Sequence, residues 1–185
     1  MKILFLHVDY IKFKPLKKAL KSMESLSEKE KEEKEMKDCL VALTAVEKRD
    51  ENVEKIVFEF VKNIKEVAED VKTNKIVLYP YAHLSSNLSS PDRAVKVLDE
   101  AESKLKKEKF EVSRAPFGYY KEFELKVKGH PLSELSREIV IGEEEEKKET
   151  PKKRKEGSEF SKFFLIDLEG KEYEIIWHGG NYKTD

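Results

Sequence analysis

The sequence predicts an α/β domain in which two helices cross over between strands of one sheet. Three observations carry that reading. Strand-like apolar runs at Cys39–Val46, Lys75–Tyr79 and Phe110–Val112 are separated by two stretches with helical spacing. Strand, helix, strand, helix, strand is the pattern of crossover connections, which are almost always right-handed. The last strand runs straight into a segment, Ala115–Arg137, where tight turns and dense polar chemistry alternate.

Taken in order, Ile3-Leu4-Phe5-Leu6-His7-Val8 is a continuous apolar run, as expected of a strand covered on both faces. Asp9 and Tyr10 lie at its end, and His7 reads as a core or strand-end histidine with a local hydrogen bond. Lys14–Asp38 is dominated by Lys, Glu and Ser with few apolar anchors, and reads as a solvated, partly helical excursion without chemistry. Cys39–Val46 is the second strand, ended by Glu47-Lys48-Arg49-Asp50. Its small residues Ala42, Thr44 and Ala45 allow something to approach its surface closely.

Val53, Ile56, Val57, Phe60, Val61, Ile64, Val67, Ala68 and Val71 follow helical spacing, with charged residues on the other face. This is a packing helix. Lys75–Tyr79 is the third strand, stopped by Pro80. Ser90 as N-cap and Pro91 in the first turn begin a second helix, with Ala94, Val95, Val97, Leu98, Ala101 and Leu105 on its apolar face. Phe110 and Val112 mark the fourth strand.

Pro116 fixes a backbone angle and Gly118 permits a left-handed one, so Pro116-Phe117-Gly118 predicts a tight turn with bare backbone groups open to a ligand. Phe123, Leu125 and Val127 then alternate with charged residues, a strand with Lys121 at its start. Gly129-His130-Pro131 is a second punctuation. Leu132–Arg137 reads as a short helical turn that would put His130 near Glu134, and Arg137–Ile141 as a last strand. Glu143–Glu156 has the composition of a linker, acidic then basic. Alternation returns in Phe163–Ile166 and Tyr173–Trp177 around the turn Asp167–Gly170, a hairpin. The expected organisation is a domain at 1–142, a charged linker at 143–158 and a hairpin at 159–185 that begins a following region.

Composition narrows the function. Charged residues make up 41% of the chain but concentrate in two blocks, and ten Phe and seven Tyr suffice for a real core. A net charge of −1 argues against tight nucleic-acid binding through charge alone, while leaving room for contact with a short single-stranded end. Cys39 is the only cysteine, so no internal disulfide is possible and a reducing, cytoplasmic setting is expected. No apolar run is long enough to span a membrane. One Cys and four His offer no zinc-ligand spacing. No Gly-x-Ser-x-Gly elbow holds a nucleophile, and no glycine loop cradles phosphate.

Two loops are candidates for one cleft at strand ends: Tyr79–Asn87, leaving a strand, and Pro116–Lys121, entering one. They nominate His83, Tyr120 and Lys121, with His130 and Glu134 from the following turn.

The motifs Tyr-Pro-Tyr-Ala-His-Leu-Ser-Ser (79–86), Ala-Pro-Phe-Gly-Tyr-Tyr-Lys (115–121) and Gly-His-Pro-Leu-Ser-Glu-Leu-Ser-Arg (129–137), with the opening Leu-Phe-Leu-His-Val-Asp-Tyr, closely resemble the N-terminal editing domain of archaeal-type threonyl-tRNA synthetase. The resemblance covers residues 1–142 in consistent order. It implies a D-aminoacyl-tRNA deacylase-like fold with a mixed sheet, and removal of L-serine wrongly attached to threonine tRNA. The need is physical: serine lacks one methyl of threonine, which supplies only about 1–3 kcal/mol of discrimination.

Carried over by position, the resemblance makes His83, Tyr120, Lys121 and Glu134 catalytic. It places Pro80, Tyr81 and Ala82 against the terminal adenosine, and the Phe117 and Gly118 backbone, with Tyr119 in the same loop, against the aminoacyl group. The implied chemistry is substrate-assisted hydrolysis without metal or cofactor in this region; the remaining synthetase body would use ATP and zinc. Implied partners are the 3′ end of threonine tRNA carrying serine, the rest of the synthetase chain and a second copy in a homodimer, with no membrane. The competing expectations are a free-standing D-aminoacyl-tRNA deacylase and a non-catalytic tRNA-binding or dimerisation module.

Overall fold

Strand β1, Lys2–Lys18, is the longest strand of a six-stranded sheet and pairs with three of its other strands. The computed structural model describes residues 1–141 fully, and beyond them the backbone of Phe163–Ile166, Glu172–His178 and Asn181–Lys183. The expected linker at 143–158 and the turn Asp167–Gly170 lie outside the described residues.

β1 runs well past Val8, the end of its apolar run. Ile11 and Phe13 continue its buried face, and Lys12 and Lys14 on the other face stand opposite Glu124 and Glu122 of β5, Tyr119–Val127. Opposite charges directly across a ladder are favourable, which lets a lysine-rich segment be a strand. Strand β2, Lys34–Ala45, also begins earlier than expected and pairs antiparallel with β1 from Phe13↔Lys34 to Lys2↔Ala45. The solvated excursion therefore shrinks to the segment between the two strands, which holds one short helix, α1, Glu28–Lys31.

From β2 the chain makes the two expected crossovers. Helix α2, Val53–Asp70, leads to β3, Lys75–Pro80, and helix α3, Pro91–Lys107, leads to β4, Glu111–Arg114. β2, β3 and β4 are parallel. Asn52 caps α2, its side chain accepting from Lys55 N at 3.0 Å. Ser90 stands at the N-cap of α3, but its hydroxyl makes no capping bond.

The sheet order is β4-β3-β2-β1-β5, and β6, Glu134–Glu138, shares the outer edge of β1 with β5. β6 takes Lys2–Leu6 and β5 takes Val8–Lys18. This corrects two expectations: Leu132–Arg137 is not a helical turn, and the last strand of the domain starts at Glu134 rather than Arg137. The open edge of β1 offers ladder hydrogen bonds that a single helical turn could not match. The chain reverses before it at His130–Ser133, where Ser133 N donates to His130 O at 3.0 Å.

α2 and α3 cover one face of the sheet, packing Ile56, Phe60, Ile64, Leu98 and Leu105 on Ile3, Phe5, Leu40, Ile76 and Leu78. The other face holds Val8, Ile11, Phe13, Val41, Val77 and Tyr79. There the sheet curls. Phe123 of β5 and Tyr79 of β3 are three strand spacings apart, about 14 Å in a flat sheet, yet their ring centroids lie 5.4 Å apart. That curl brings the end of β3 and the start of β5 together, and it positions the site.

The chain divides into two units, Met1–Glu143 and Glu144–Asp185. In the second, β7, Phe163–Ile166, pairs antiparallel with β8, Glu172–His178, as the expected hairpin. A third strand, β9, Asn181–Lys183, joins β8.

Candidate active site

A cavity of ≈ 560 Å³ lies where the curled sheet brings the two loops together. One wall is Tyr79, Pro80, Tyr81, Ala82 and His83; the facing wall is Phe117, Gly118, Tyr119, Tyr120 and Lys121. Thr44, Ala45 and Val46 from the end of β2, with Ala94 and Leu98 of α3, form its floor, and Ala19 and Leu20 close a third side. Thr44 and Ala45 are small enough for this close approach, as their sequence suggests. The Ala19-Leu20 wall was hidden in a charged stretch.

The His83 turn is anchored from below. Tyr81 N donates to Thr44 O at 2.8 Å, and the 3-10 turn Ala82–Leu84 follows. Ser85 Oγ then donates to Glu47 Oε1 at 2.6 Å. Glu47 is buried and also accepts from Arg49 at 2.8 Å and from the Met1 ammonium at 3.3 Å. Burial pushes its carboxyl pKa up, but the hydrogen bonds from Ser85, Arg49 and the ammonium outweigh that and hold it at about 2. Read in sequence as part of a charged turn, Glu47 is in fact a buried tie. His83 stands exposed at the rim, its ring edge-on to Tyr81 at 5.2 Å.

The facing loop depends on Gly118. Its φ is +73°, and a Cβ there would lie 2.3 Å from Met23 Cγ. Its carbonyl accepts from Ala19 N at 2.8 Å and Leu20 N at 3.1 Å, which fixes the third wall to the second. The turn is thus less bare than expected, since the Pro116 and Tyr119 carbonyls are also taken. Among the described residues, the N–H groups of Phe117 and Gly118 have no partner. Tyr119 has its hydroxyl turned away, donating to Glu24 O at 2.7 Å and accepting from Leu26 N at 3.3 Å.

Lys121 supplies the charge of the cavity. Its Nζ donates to Pro116 O and Tyr119 O, both at 3.0 Å, and lies 5.2 Å from the Tyr79 ring centroid, within cation–π range. Burial lowers its pKa to about 8. Burial likewise pushes the Tyr79 phenol up to about 12. Tyr120 is exposed, with Lys17 Nζ 5.6 Å from its ring centroid.

The structure therefore brings His83, Tyr120 and Lys121 together with Pro80, Tyr81, Ala82, Phe117, Gly118 and Tyr119. Glu134 and His130 do not line the cavity. Glu134 is exposed on β6, opposite Leu6. His130 instead meets His7: His7 Nδ1 and His130 Nε2 are 2.8 Å apart, and Leu132 N donates to His130 Nδ1 at 3.3 Å. Because that Nδ1 accepts, the His130 proton sits on Nε2 and is donated to His7.

A second cavity of ≈ 560 Å³ lies behind the Phe117 loop, walled by Met23, Glu24, Glu30, Asp99 and Arg114. Its guanidinium is already held by Asp99 at 2.5 Å and Glu102 at 3.1 Å, and its acids would repel a phosphodiester. Among the described residues, no cluster of three His, Cys, Asp or Glu is placed to hold a metal ion, and no helix is long and apolar enough to cross a membrane.

Comparison with known proteins gives one consistent answer. A family profile described as the Archaea-specific editing domain of threonyl-tRNA synthetase matches residues 1–139. The threonine–tRNA ligase of Thermococcus sibiricus is 47% identical over 176 residues, covering 95% of this chain and 28% of that protein. That of Methanocaldococcus jannaschii is 47% identical over 173 residues, 93% of this chain and 26% of that protein. The chain spans about a quarter of the length of these relatives. A solved structure of a c-Myc DNA Unwinding Element Binding Protein superposes with a TM-score of 0.56 at 12% identity, over 75% of this chain and 99% of that one. At that identity the likeness speaks for the fold alone.

Proposed function

The chain belongs to the Archaea-specific editing domains of threonyl-tRNA synthetase, and on that footing we propose that it hydrolyses the ester of L-serine misattached to threonine tRNA. The observation that carries this reading is a cavity with one half-buried ammonium, Lys121, and no activated nucleophile. The two aliphatic hydroxyls in its walls, Thr44 and Ser89, each donate to a backbone carbonyl, Ala42 O at 3.1 Å and Ser90 O at 3.1 Å. Neither is paired with a base, so water is the attacking group.

In this reading the terminal adenosine lies along Pro80, Tyr81 and Ala82, and the aminoacyl group against the Phe117 and Gly118 N–H groups. Water adds to the acyl carbon, the bond to the ribose oxygen breaks, and that oxygen takes a proton as serine leaves. The third Nζ hydrogen of Lys121 stabilises the charge that develops on the acyl oxygen. His83 and Tyr120 orient the substrate from the rim, and a hydroxyl of the terminal ribose helps place the water.

Glu134, exposed on β6 and outside the cavity, takes no part in this reading. The rest of a synthetase chain, with ATP and zinc in its own domains, would supply most of the tRNA affinity. The test is hydrolysis of L-seryl-, L-threonyl- and D-seryl-tRNA for threonine, side by side. Loss of L-serine with threonine spared supports proofreading. Loss of the D-ester alone would make the domain a chiral deacylase, and binding without turnover would make it a recognition module.

A further inference from the structure

One side of the cavity carries charge that the hydrolytic reading does not use. From Ile11 to Met23 the chain holds five lysines, Lys12, Lys14, Lys17, Lys18 and Lys21, and no acidic residue, in a chain whose net charge is −1. Two of the five are balanced: Lys12 and Lys14 face Glu124 and Glu122 across the ladder. The other three lie at the end of β1, where Lys18 still stands opposite Tyr119 of β5, and just past it, on either side of the third wall of the cavity. Ala19 and Leu20, between Lys18 and Lys21, are the wall itself, held to Gly118 O. Lys17, Lys18 and Lys21 are all exposed. Among the described residues, Lys17, Lys18 and Lys21 form no ion pair, while Lys31, Lys37, Lys126 and Lys128 of the neighbouring elements do. The nearest acid in sequence, Glu24, gives its backbone carbonyl to Tyr119. Lys17 Nζ also lies over the ring of Tyr120, 56% exposed and itself part of the cavity wall.

A cluster of exposed, unneutralised lysines flanking one wall of the pocket, with an exposed aromatic face beside it, matches the chemistry of a single nucleic-acid strand: phosphates on the cations, a base on the ring. We propose that Lys17, Lys18 and Lys21 form a phosphate rail that guides the single-stranded acceptor end of the tRNA into the cavity, with Tyr120 as its stacking face. The proposal rests on the hydrolytic reading above, because it is the ester at the end of that strand that must reach Lys121. The rail adds affinity and register, and no chemistry.

The test uses two substrates that differ only in phosphates: seryl-tRNA for threonine, and the seryl ester of free adenosine. The K17E/K18E/K21E chain is expected to lose at least about tenfold in single-turnover kcat/KM on the tRNA, while hydrolysing the adenosine ester at the unaltered rate. Neutralising the same sites to Gln should flatten the salt dependence of RNA binding by a log–log slope of about 2, from about 0.7 per phosphate contact on a single strand. K17R/K18R/K21R should restore both. That slope is measured on a short single-stranded RNA ending in CCA, so it reads the rail even if neither ester is hydrolysed, an outcome that would sink the hydrolytic reading instead. Equal losses on both esters, or an unchanged salt slope, would overturn the rail.

Discussion

Lys121 Nζ lies 5.2 Å from the centroid of the Tyr79 ring, the side chain of one wall of the cavity resting on the base of the other. Two of its three hydrogens are given to Pro116 O and Tyr119 O. The third position is a donor when Lys121 is an ammonium and a lone pair when it is an amine, so its protonation decides its chemistry. With a pKa lowered to about 8 by burial, the group titrates within reach of experiment. Acting as an ammonium, it makes the enzymatic rate, corrected for spontaneous ester hydrolysis, fall as pH rises through about 8. A rate that climbs through the same range would instead assign it the role of base.

Lys121→Met should cut deacylation by about 10²–10³, the usual loss when one charge-stabilising donor is removed. The fold should not suffer. A lysine whose folded pKa lies below its unfolded value costs stability while both states are protonated, below about 8, and the cost fades as pH rises toward about 10.5. Methionine escapes it, so the variant should be at least as stable at pH 7, with any advantage shrinking above pH 8. Thermal melts at pH 7 and 9.5 measure this; a variant much less stable at pH 7 would mean the ammonium holds the loop together.

Ser85 Oγ and Glu47 Oε1, 2.6 Å apart, tie the His83 turn to the end of β2. Ser85→Ala removes a partly buried hydrogen bond to a charged group, worth about 1.5–3 kcal/mol, and frees the turn. The expected signature is a several-fold rise in KM with little change in kcat. Because the Glu47 carboxyl is held at about 2, its contribution is full above the unfolded value near 4.5 and is lost as pH falls toward 2. Urea titrations of both proteins at pH 3 and 7 should therefore differ less at the lower pH.

Gly118 meets two separate demands, a left-handed φ of +73° and contact with Met23. Gly118→Ala should cost about 1–2 kcal/mol from the backbone alone. Adding Met23→Ala opens space at a flexible side chain but leaves φ unchanged. The double variant should recover only the part due to crowding, and full recovery of stability in urea would show that the φ value carries no strain.

The crossovers and both loops were legible because local signals define them: helical periodicity from Val53 to Val71, the stop at Pro80, the turn at Pro116–Gly118. What was not legible depends on distant partners. Ile11 and Phe13 alternate as strand residues do, but Lys12 and Lys14 read as solvated until Glu124 and Glu122 stand opposite them. Glu134–Glu138 becomes a strand because the edge of β1 is free at Lys2–Leu6, at the other end of the domain. The meeting of Tyr79 with Lys121 follows from the curl of the sheet, which no spacing along the chain encodes.

His7 and His130 carry the last prediction. His7 is buried, takes the His130 proton on Nδ1, and has its Nε2 without a hydrogen-bond partner, Asp38 Oδ1 being 3.8 Å away. Burial, then Lys128 and His130, lower its pKa, while Asp38 and Asp9 oppose the shift. An unfolded histidine takes a proton near pH 6.5, before the folded one does, so stability is full above that value and falls as the solution is acidified below it. The loss comes before Asp9 and Asp38 matter, since their own pKa values are lowered by Lys126 and Lys128. His7→Gln keeps a polar side chain that does not titrate. Its urea midpoint should therefore change less than that of the unaltered chain between pH 7.5 and 5.5, and an equal change in both would place the acid sensitivity elsewhere.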